Sequence, residues 1–417
     1  MLSAIALIFL IAAIAIGFVR NINVGFTCLG LALILGLIGG VSTNVILSGF
    51  PSKLFLTLLG TMFFFSLLQE NNTLELLSKK MVSLVGKKHF LIPIIVYVVS
   101  YIMSAVGPGA ISVQAVMNVF SVALAIQMEA SPILLGGMAI LGAVGGTASP
   151  IALTGILVSD LTANIDGLSG IAYPVFVGVS LSNLVCAVVV YIVFGGYKLK
   201  GKASLEEKLP AFSRDQYICI AALVVMVIAV VGLKYDVGLV CFTLSLILML
   251  LGIVNEKASL KLVPWSVLIL ICGVNVLMAV AQDLGGIDLL ADLLASLMNP
   301  VTASPIMGLT AGVMSWFSSA NGVVFPTLIP TTPAIAANVG ESVSAVEMIM
   351  AIVGSATVAG ISPMSTGGSL ILASYTQSKD LTDKEQSKLF AKLFATSLGC
   401  VLVVVVFALV GAYKLFC

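Results

Sequence analysis

The sequence predicts an all-α, polytopic membrane protein made of two inverted five-span repeats, each holding a re-entrant hairpin and a broken helix. Three observations carry that class. Of 417 residues, 60% are hydrophobic and 9% charged, with a mean hydropathy of +1.20, which is more apolar than any soluble domain. The chain also repeats on itself at one constant offset, the one that lays Gln69-Glu70 on Gln282-Asp283. The same offset lays Glu75-Leu76-Leu77 on Asp288-Leu289-Leu290, Ser149-Pro150 on Ser362-Pro363, Gly109 on Gly322 and Gly155 on Gly368. Finally, the basic residues sort to one side once the spans are threaded through a bilayer. Two structural copies in a membrane chain are the usual build of a secondary transporter, with the substrate site where the copies meet.

The first copy covers residues 1–197. Residues 2–19 read as a retained span, because no basic n-region and no A-x-A-like cleavage site mark a signal peptide. Further spans follow at 23–40 and 52–69. The charged stretch 73–86 puts Leu74, Leu77, Met81 and Leu84 on one helical face, with Lys79 pointing away and Lys80 at the edge. That pattern lies in the interface rather than spanning it. The run 91–126 is too long for one span and is interrupted by Gly107-Pro108-Gly109. Each flank falls short of the ~20 residues a crossing needs, so the run reads as a hairpin that enters and leaves on one side. The run 132–158 is broken at Gly145-Gly146-Thr147-Ala148-Ser149-Pro150. Unwound backbone at membrane depth is tolerated only against protein or a water-filled cavity. A last span at 172–197 closes the copy.

A charged cytoplasmic linker, 198–215, leads to the second copy at 216–417. Its spans lie at 217–233, 236–253 and 265–282, its interfacial helix at 286–298, its hairpin at 303–338 and its broken span at 343–375, with a last span at 389–413. The hairpin opens around Ser318-Ser319-Ala320-Asn321-Gly322, and the span breaks at Ala359-Gly360-Ile361-Ser362-Pro363-Met364-Ser365-Thr366-Gly367-Gly368. The approaches to the two tips, Ser100-Tyr101-x-x-Ser104-Ala105 and Ser315-Trp316-x-x-Ser319-Ala320, match at a slightly longer offset. Five crossings per copy is odd, so the second copy must run upside down. The charges agree. With both termini outside, only Lys53, Lys234 and Lys414 of the 19 Lys and Arg residues face outward, a strong positive-inside bias. These features place the protein as a multi-pass protein of the inner (plasma) membrane.

Several function classes are disfavoured. A net charge of +1 offers nothing to nucleic acid. The seven cysteines lack CxxC spacing and mostly sit in apolar runs, where they read as small core residues. The single histidine, His89, lies in a Lys-Lys-His loop. No His/Cys metal set and no nucleophile–base pair can be assembled, so neither an enzyme nor a metal cofactor is expected.

The chemistry therefore falls to the four polar breaks, two hairpin tips and two unwound spans, which should converge near the bilayer midplane. Broken helices present free N–H groups and positive dipole ends that suit anions. They also present carbonyls and hydroxyls that suit a small hard cation. The candidate substrate residues are Gly107, Pro108, Gly109, Thr147, Ser149, Thr154, Ser319, Asn321, Gly322, Ser362, Ser365 and Thr366. The candidate cation residues are Ser104, Gly146, Ser318, Asn321 and Gly360. A single Ser or Thr in a membrane helix is more often back-bonded to its own helix. It is the four-part convergence that points to a site. The spans hold no pair of midplane carboxylates, which proton-driven antiporters use. Glu70 and Asp283 sit at span ends, Asp160 near the end of a broken span, and Glu347 in the first turns of the other.

At these residues the chain resembles the malonate/dicarboxylate carrier (MatC-like) family of the ion transporter superfamily. The carrying motifs are Asn72-Thr73-Leu74-Glu75-Leu76, Gly107-Pro108-Gly109-Ala110, Ser149-Pro150-x-x-x-Thr154-Gly155, Ala320-Asn321-Gly322-Val323-Val324-x-Pro326 and Ser362-Pro363-x-Ser365-Thr366-Gly367-Gly368. More distantly it is similar to the divalent anion:sodium symporters. That similarity implies a homodimer with a fixed scaffold and an elevator-type transport domain, linked by arm helices at 73–86 and 286–298. In those symporters each hairpin tip carries Ser-Asn-Thr against substrate and Na⁺; here the second tip keeps Ser319 and Asn321, and the first has Gly-Pro-Gly. The resemblance implies a secondary transporter of C3–C4 dicarboxylates such as malonate or succinate. Na⁺, or alternatively H⁺, would be the coupling ion, with no other cofactor. A cation/proton antiporter or an oxyanion extruder on the same fold is the alternative.

Overall fold

In a computed structural model, residues 1–20, 22–83, 88–199, 209–340, 342–379 and 381–417 are described. The end of the 73–86 helix, with Leu84 and Lys87, and the linker residues Lys200, Lys202 and Lys208 lie outside them. The described residues form helices and no strand. The first half holds α1 (Leu2–Arg20), α2 (Val24–Gly39), α3 (Thr43–Ser48), α4 (Ser52–Glu70), α5 (Thr73–Ser83), α6 (Ile92–Ala105), α7 (Gly109–Gln127), α8 (Pro132–Gly146), α9 (Leu153–Thr162) and α10 (Ala172–Val193). The second holds α11 (Arg214–Val227), α12 (Val237–Leu250), α13 (Glu256–Leu262), α14 (Trp265–Asp283), α15 (Gly286–Ala295), α16 (Ala303–Phe317), α17 (Phe325–Leu328), α18 (Thr332–Val339), α19 (Ala345–Val358), α20 (Thr366–Ser378) and α21 (Asp383–Leu409). Among the described residues, eight helical stretches are long and apolar enough to cross a membrane, and the chain is a multi-pass membrane protein.

Helices α2, α4, α5, α8 and α9 begin at residues 24, 52, 73, 132 and 153; α12, α14, α15, α19 and α20 begin at 237, 265, 286, 345 and 366. All five pairs are separated by one interval, the offset that lays Gln69 on Gln282. The local causes recur as well. Asn23 caps α2 through its side chain, and Asp236, at the corresponding place, caps α12. Helix α2 packs on α14, and α4 packs on α12. Both crossings are made by glycine. A Cβ at Gly25 would overlap the Ile269 carbonyl, and one at Gly273 would overlap the Gly25 carbonyl. At the other crossing, a Cβ at Gly60 would overlap the Gly238 carbonyl, and one at Gly238 would press on the Thr57 backbone. Gly25 and Gly238 stand at the repeat offset from each other, and so do Gly60 and Gly273, so the two crossings are reciprocal.

The long polar-centred runs fold as bent pairs. In the first hairpin, α6 and α7 pack on each other and turn at Gly107-Pro108-Gly109, where φ is +147° at Gly107 and +71° at Gly109. Only glycine takes both values without strain. In the second hairpin α16 ends at Phe317, Ala320–Val324 form a wide π-type turn, and the return arm is cut into short pieces by Pro326, Pro330 and Pro333. Each first arm packs on the first half of a broken span, α6 on α8 and α16 on α19. A glycine makes the close approach at both breaks: Gly155 abuts the Ser149 carbonyl, and Gly368 abuts the Ile361 and Ser362 carbonyls. A side chain at either would force the turn open.

The buried face of α5 differs from the sequence expectation. Leu74, Ser78 and Val82 are buried, with Leu76, whereas Leu77 and Met81 are only half-buried. The reason is tertiary. Helix α5 lies along α6, and the Ser78 hydroxyl satisfies itself on the Leu74 carbonyl at 2.6 Å and on Met103 Sδ at 2.8 Å. That turns a polar position inward. Lys79 pairs with Glu75 one turn away, at 2.6 Å.

Two apolar clusters form. A small one joins α1, α2 and most of α14, reaching Ile287 and Val323. A large one takes most of the other helices, both hairpins and both broken spans included.

Candidate functional site

A cavity of about 260 Å³ lies where the hairpins and broken spans meet. Helix α7 contributes Ala110, Ile111 and Gln114; the first break contributes Thr147; the second hairpin contributes Phe317, Ser318, Ser319 and Asn321; the second break contributes Thr357, Gly360, Ser365, Thr366 and Gly367. No charged side chain lines it among the described residues.

The second break presents an open helix end. Ser365 precedes α20 but does not cap it. Its hydroxyl donates instead to the Gly360 carbonyl at 2.7 Å and the Ser362 carbonyl at 2.9 Å. The first helical N–H to find a backbone acceptor is that of Ser369, on the Ser365 carbonyl. The amides of Thr366, Gly367 and Gly368 have no protein acceptor among the described residues. The positive end of α20 thus faces the cavity, with the Thr366 hydroxyl beside it, an arrangement that attracts anions.

The first break is closed on itself. The Thr147 carbonyl accepts the N–H groups of both Thr154 and Gly155, each at 3.1 Å. Two of the three corresponding donors of α9, those of Thr154 and Gly155, are therefore already used. What the first break offers is the Thr147 hydroxyl and a polar bridge. Thr154 Oγ1 lies 3.3 Å from Thr147 Oγ1 and donates to Asn321 Oδ1 at 2.8 Å. That bond fixes which way the Asn321 amide faces, and its Nδ2 donor has no protein acceptor among the described residues. At the second tip Ser319 Oγ accepts the Gly322 N–H at 3.1 Å, and Ser318 Oγ donates to the Met314 carbonyl at 2.8 Å.

The candidate residues divide accordingly. Thr147, Ser319, Asn321, Ser365 and Thr366 line the cavity, as do Ser318 and Gly360 of the cation set, and Thr154 stands directly behind Asn321. The remainder do not line it. Gly107 packs against the Phe65 ring, Gly109 against Leu153, and Gly322 against Leu270 of α14. Ser149 and Gly146 sit inside the turn of the first break, Gly146 pressed to the Tyr101 carbonyl and to Ser104. Ser104 is buried, and its hydroxyl has no partner among the described residues. Ser362 is fully buried and accepts the Met364 N–H. Pro108 stands at the tip ahead of α7, whose second residue, Ala110, reaches the cavity. These residues shape the backbone of the turns rather than face the space.

The sequence reading passed over Gln114 and Asn118. Gln114 is 5% exposed and lines the cavity; Asn118, one turn on, donates to the Gly367 carbonyl at 3.2 Å and so ties α7 to the start of α20. The signal was present: two carboxamides spaced i, i+4 in an otherwise apolar arm.

Residues 1–147 match the family described as dicarboxylate carrier protein MatC N-terminus, the family that the motifs of the chain resemble. No curated protein sequence matches the chain. Among solved structures, the Alcanivorax borkumensis YdaH transporter, whose crystal structure is described as revealing an unusual topology, has a TM-score of 0.61 over 88% of this chain and 86% of that one, at 12% identity. At that identity the likeness is one of fold.

Proposed function

We propose that this protein is a secondary active transporter of small organic dianions, C3–C4 dicarboxylates such as malonate or succinate. The observation that carries the reading is the cavity with an open helix end and no charged lining. One carboxylate would sit on the amides of Thr366, Gly367 and Gly368 and the Thr366 hydroxyl. The other would take the Asn321 amide, with Gln114 and Ser319 between them. The volume of about 260 Å³ suits a molecule of that size. The match of residues 1–147 to a dicarboxylate carrier family agrees.

A dianion in a site without a cationic side chain needs a neutralising ion, so the transport is coupled to Na⁺. The oxygens at hand are those of Ser318, Asn321 and Gly360. The two halves are inverted repeats, a view supported by the constant interval between paired helices and by the reciprocal glycine crossings. The hairpins and broken spans move together as the transport domain of a homodimer, in an elevator motion, while α2 and α12 stay at the dimer contact. Both termini lie outside. An antiporter on this fold would need a midplane carboxylate, and none lines the cavity among the described residues. The test is counterflow of labelled malonate and succinate in proteoliposomes, with and without a Na⁺ gradient. Saturable counterflow that rises with Na⁺ is expected. Counterflow indifferent to Na⁺ would remove the coupling, and its absence for every dicarboxylate would remove the substrate class.

A further inference from the structure

The open end of α20 is not held by its own segment. Ser365 gives it no side-chain cap, and its first turn contains two consecutive glycines, Gly367 and Gly368. Glycine restrains its backbone least of all residues. The peptide plane between the two carries the Gly367 carbonyl on one edge and the Gly368 N–H, one of the three open amides, on the other. In a helix that carbonyl points down the axis, and the N–H points back toward the break. Asn118 grips this plane from another element. It stands on α7, in the first hairpin, and its Nδ2 donates to the Gly367 carbonyl at 3.2 Å. A carbonyl has two lone pairs. The helix ladder takes one, and Asn118 takes the other. The second bond fixes the tilt of the plane and polarises it, which strengthens the Gly368 N–H as a donor.

Two further observations point the same way. Gln114, one turn nearer the tip on the same arm, is 5% exposed and lines the cavity without a hydrogen-bond partner among the described residues. The wall beside the open amides thus presents a buried carboxamide free to meet a ligand. Asn118 itself is fully buried, and its Oδ1 has no partner among the described residues. A buried acceptor left unpaired lowers stability. A leucine, which branches at the same atom, would remove that loss. Asn118 is therefore a poor packing residue and a well-placed donor. We infer that Asn118 is a positioning residue for the substrate: through the Gly367 carbonyl it sets the Gly368 N–H on which a carboxylate rests. The inference rests on the transport reading of the cavity. It makes the anion seat depend on both halves of the chain, complete only while α7 of the first hairpin lies against α20 of the second break.

The experiment titrates the purified full chain with malonate, succinate and sulfate at fixed ionic strength. The dissociation constant is taken from the rise of the unfolding temperature with ligand. Asn118→Leu should hold or raise the unfolding temperature without ligand, yet weaken dicarboxylate binding by roughly fivefold or more. In proteoliposomes the half-saturation should rise by the same factor, with little change in the maximal rate of counterflow. Leu124→Ala, which hollows the same helix at a buried position that does not line the cavity, should lower the unfolding temperature and leave binding alone. Asn118→Ala removes the donor without adding bulk, and should weaken binding in the same way if the leucine variant does not fold. Binding of unaltered strength in the Asn118 variants, or equal weakening in Leu124→Ala, would overturn the positioning role. Failure of every dicarboxylate to bind the unaltered chain would sink the function reading instead. Sulfate, a dianion that needs only the open helix end, then decides the role of Asn118 by the same comparison. If no anion binds at all, both fall.

Discussion

At the residue scale the site turns on Asn321. Its Oδ1 accepts the Thr154 hydroxyl, so removing the amide strands a buried donor as well as a ligand contact. Asn321→Ala should raise the half-saturation for both dicarboxylate and Na⁺ by about 1–3 kcal/mol, roughly five- to 150-fold, read from initial rates in proteoliposomes. Thr154→Val, which keeps the volume but frees the amide to turn, should raise both by about 0.5–1.5 kcal/mol. Unchanged Na⁺ activation in both variants would mean that the ion sits elsewhere. Gln114→Ala and Thr366→Ala should act on substrate alone, since neither oxygen is needed by the ion in the proposed arrangement. Ser362→Ala is a contrast. Its hydroxyl holds the Met364 N–H inside the turn, so its loss should lower stability more than affinity.

At the scale of elements, the two reciprocal crossings make a test of packing. Alanine at Gly25, Gly60 or Gly273 would drive a methyl group into a neighbouring backbone, costing about 1–3 kcal/mol by overpacking. Alanine at Gly30 meets nothing within 4 Å. Thermal unfolding of the purified protein should therefore fall for the first three and hold for Gly30→Ala. Equal behaviour of all four would mean that the helices do not approach so closely. The hairpins should also differ. The first returns through one continuous helix, α7, and its turn rests on two glycines with positive φ. Pro108→Ala should change the transport rate more than the half-saturation, because it loosens that turn without touching the cavity.

For the whole molecule, the proposed inversion rests on threading, and threading can be read directly. Single cysteines at Ser169, between α9 and α10, and at Ser213, before α11, are separated by the one span α10. In a Cys417→Ser background, which removes the exposed native thiol, they should react with an impermeant maleimide from opposite faces. Reaction from the same face would undo the odd count of crossings and with it the inverted arrangement.

The sequence by itself determined the class of the protein and where its chain breaks. Those features are local. Span length follows from hydrophobic run length, the turn at Gly107-Pro108-Gly109 from what glycine and proline permit, and the constant offset between the copies from the order of such signals. Both breaks reach the cavity, and tertiary structure decided which of them leaves its helix amides open to it. Both carry hydroxyls and a proline, although the second has Ser365 and Thr366 where the first has Ala152 and Leu153. In the fold the Thr147 carbonyl takes the Thr154 and Gly155 amides of α9, while Ser365 spends its hydroxyl on two carbonyls and leaves the α20 amides open. Likewise Gly322 abuts Leu270, which belongs to a different and earlier helix, α14, and Gln114 reaches the cavity because Asn118 ties its helix to Gly367. A polar group's partner is chosen by what the fold brings beside it, and no local pattern records that choice.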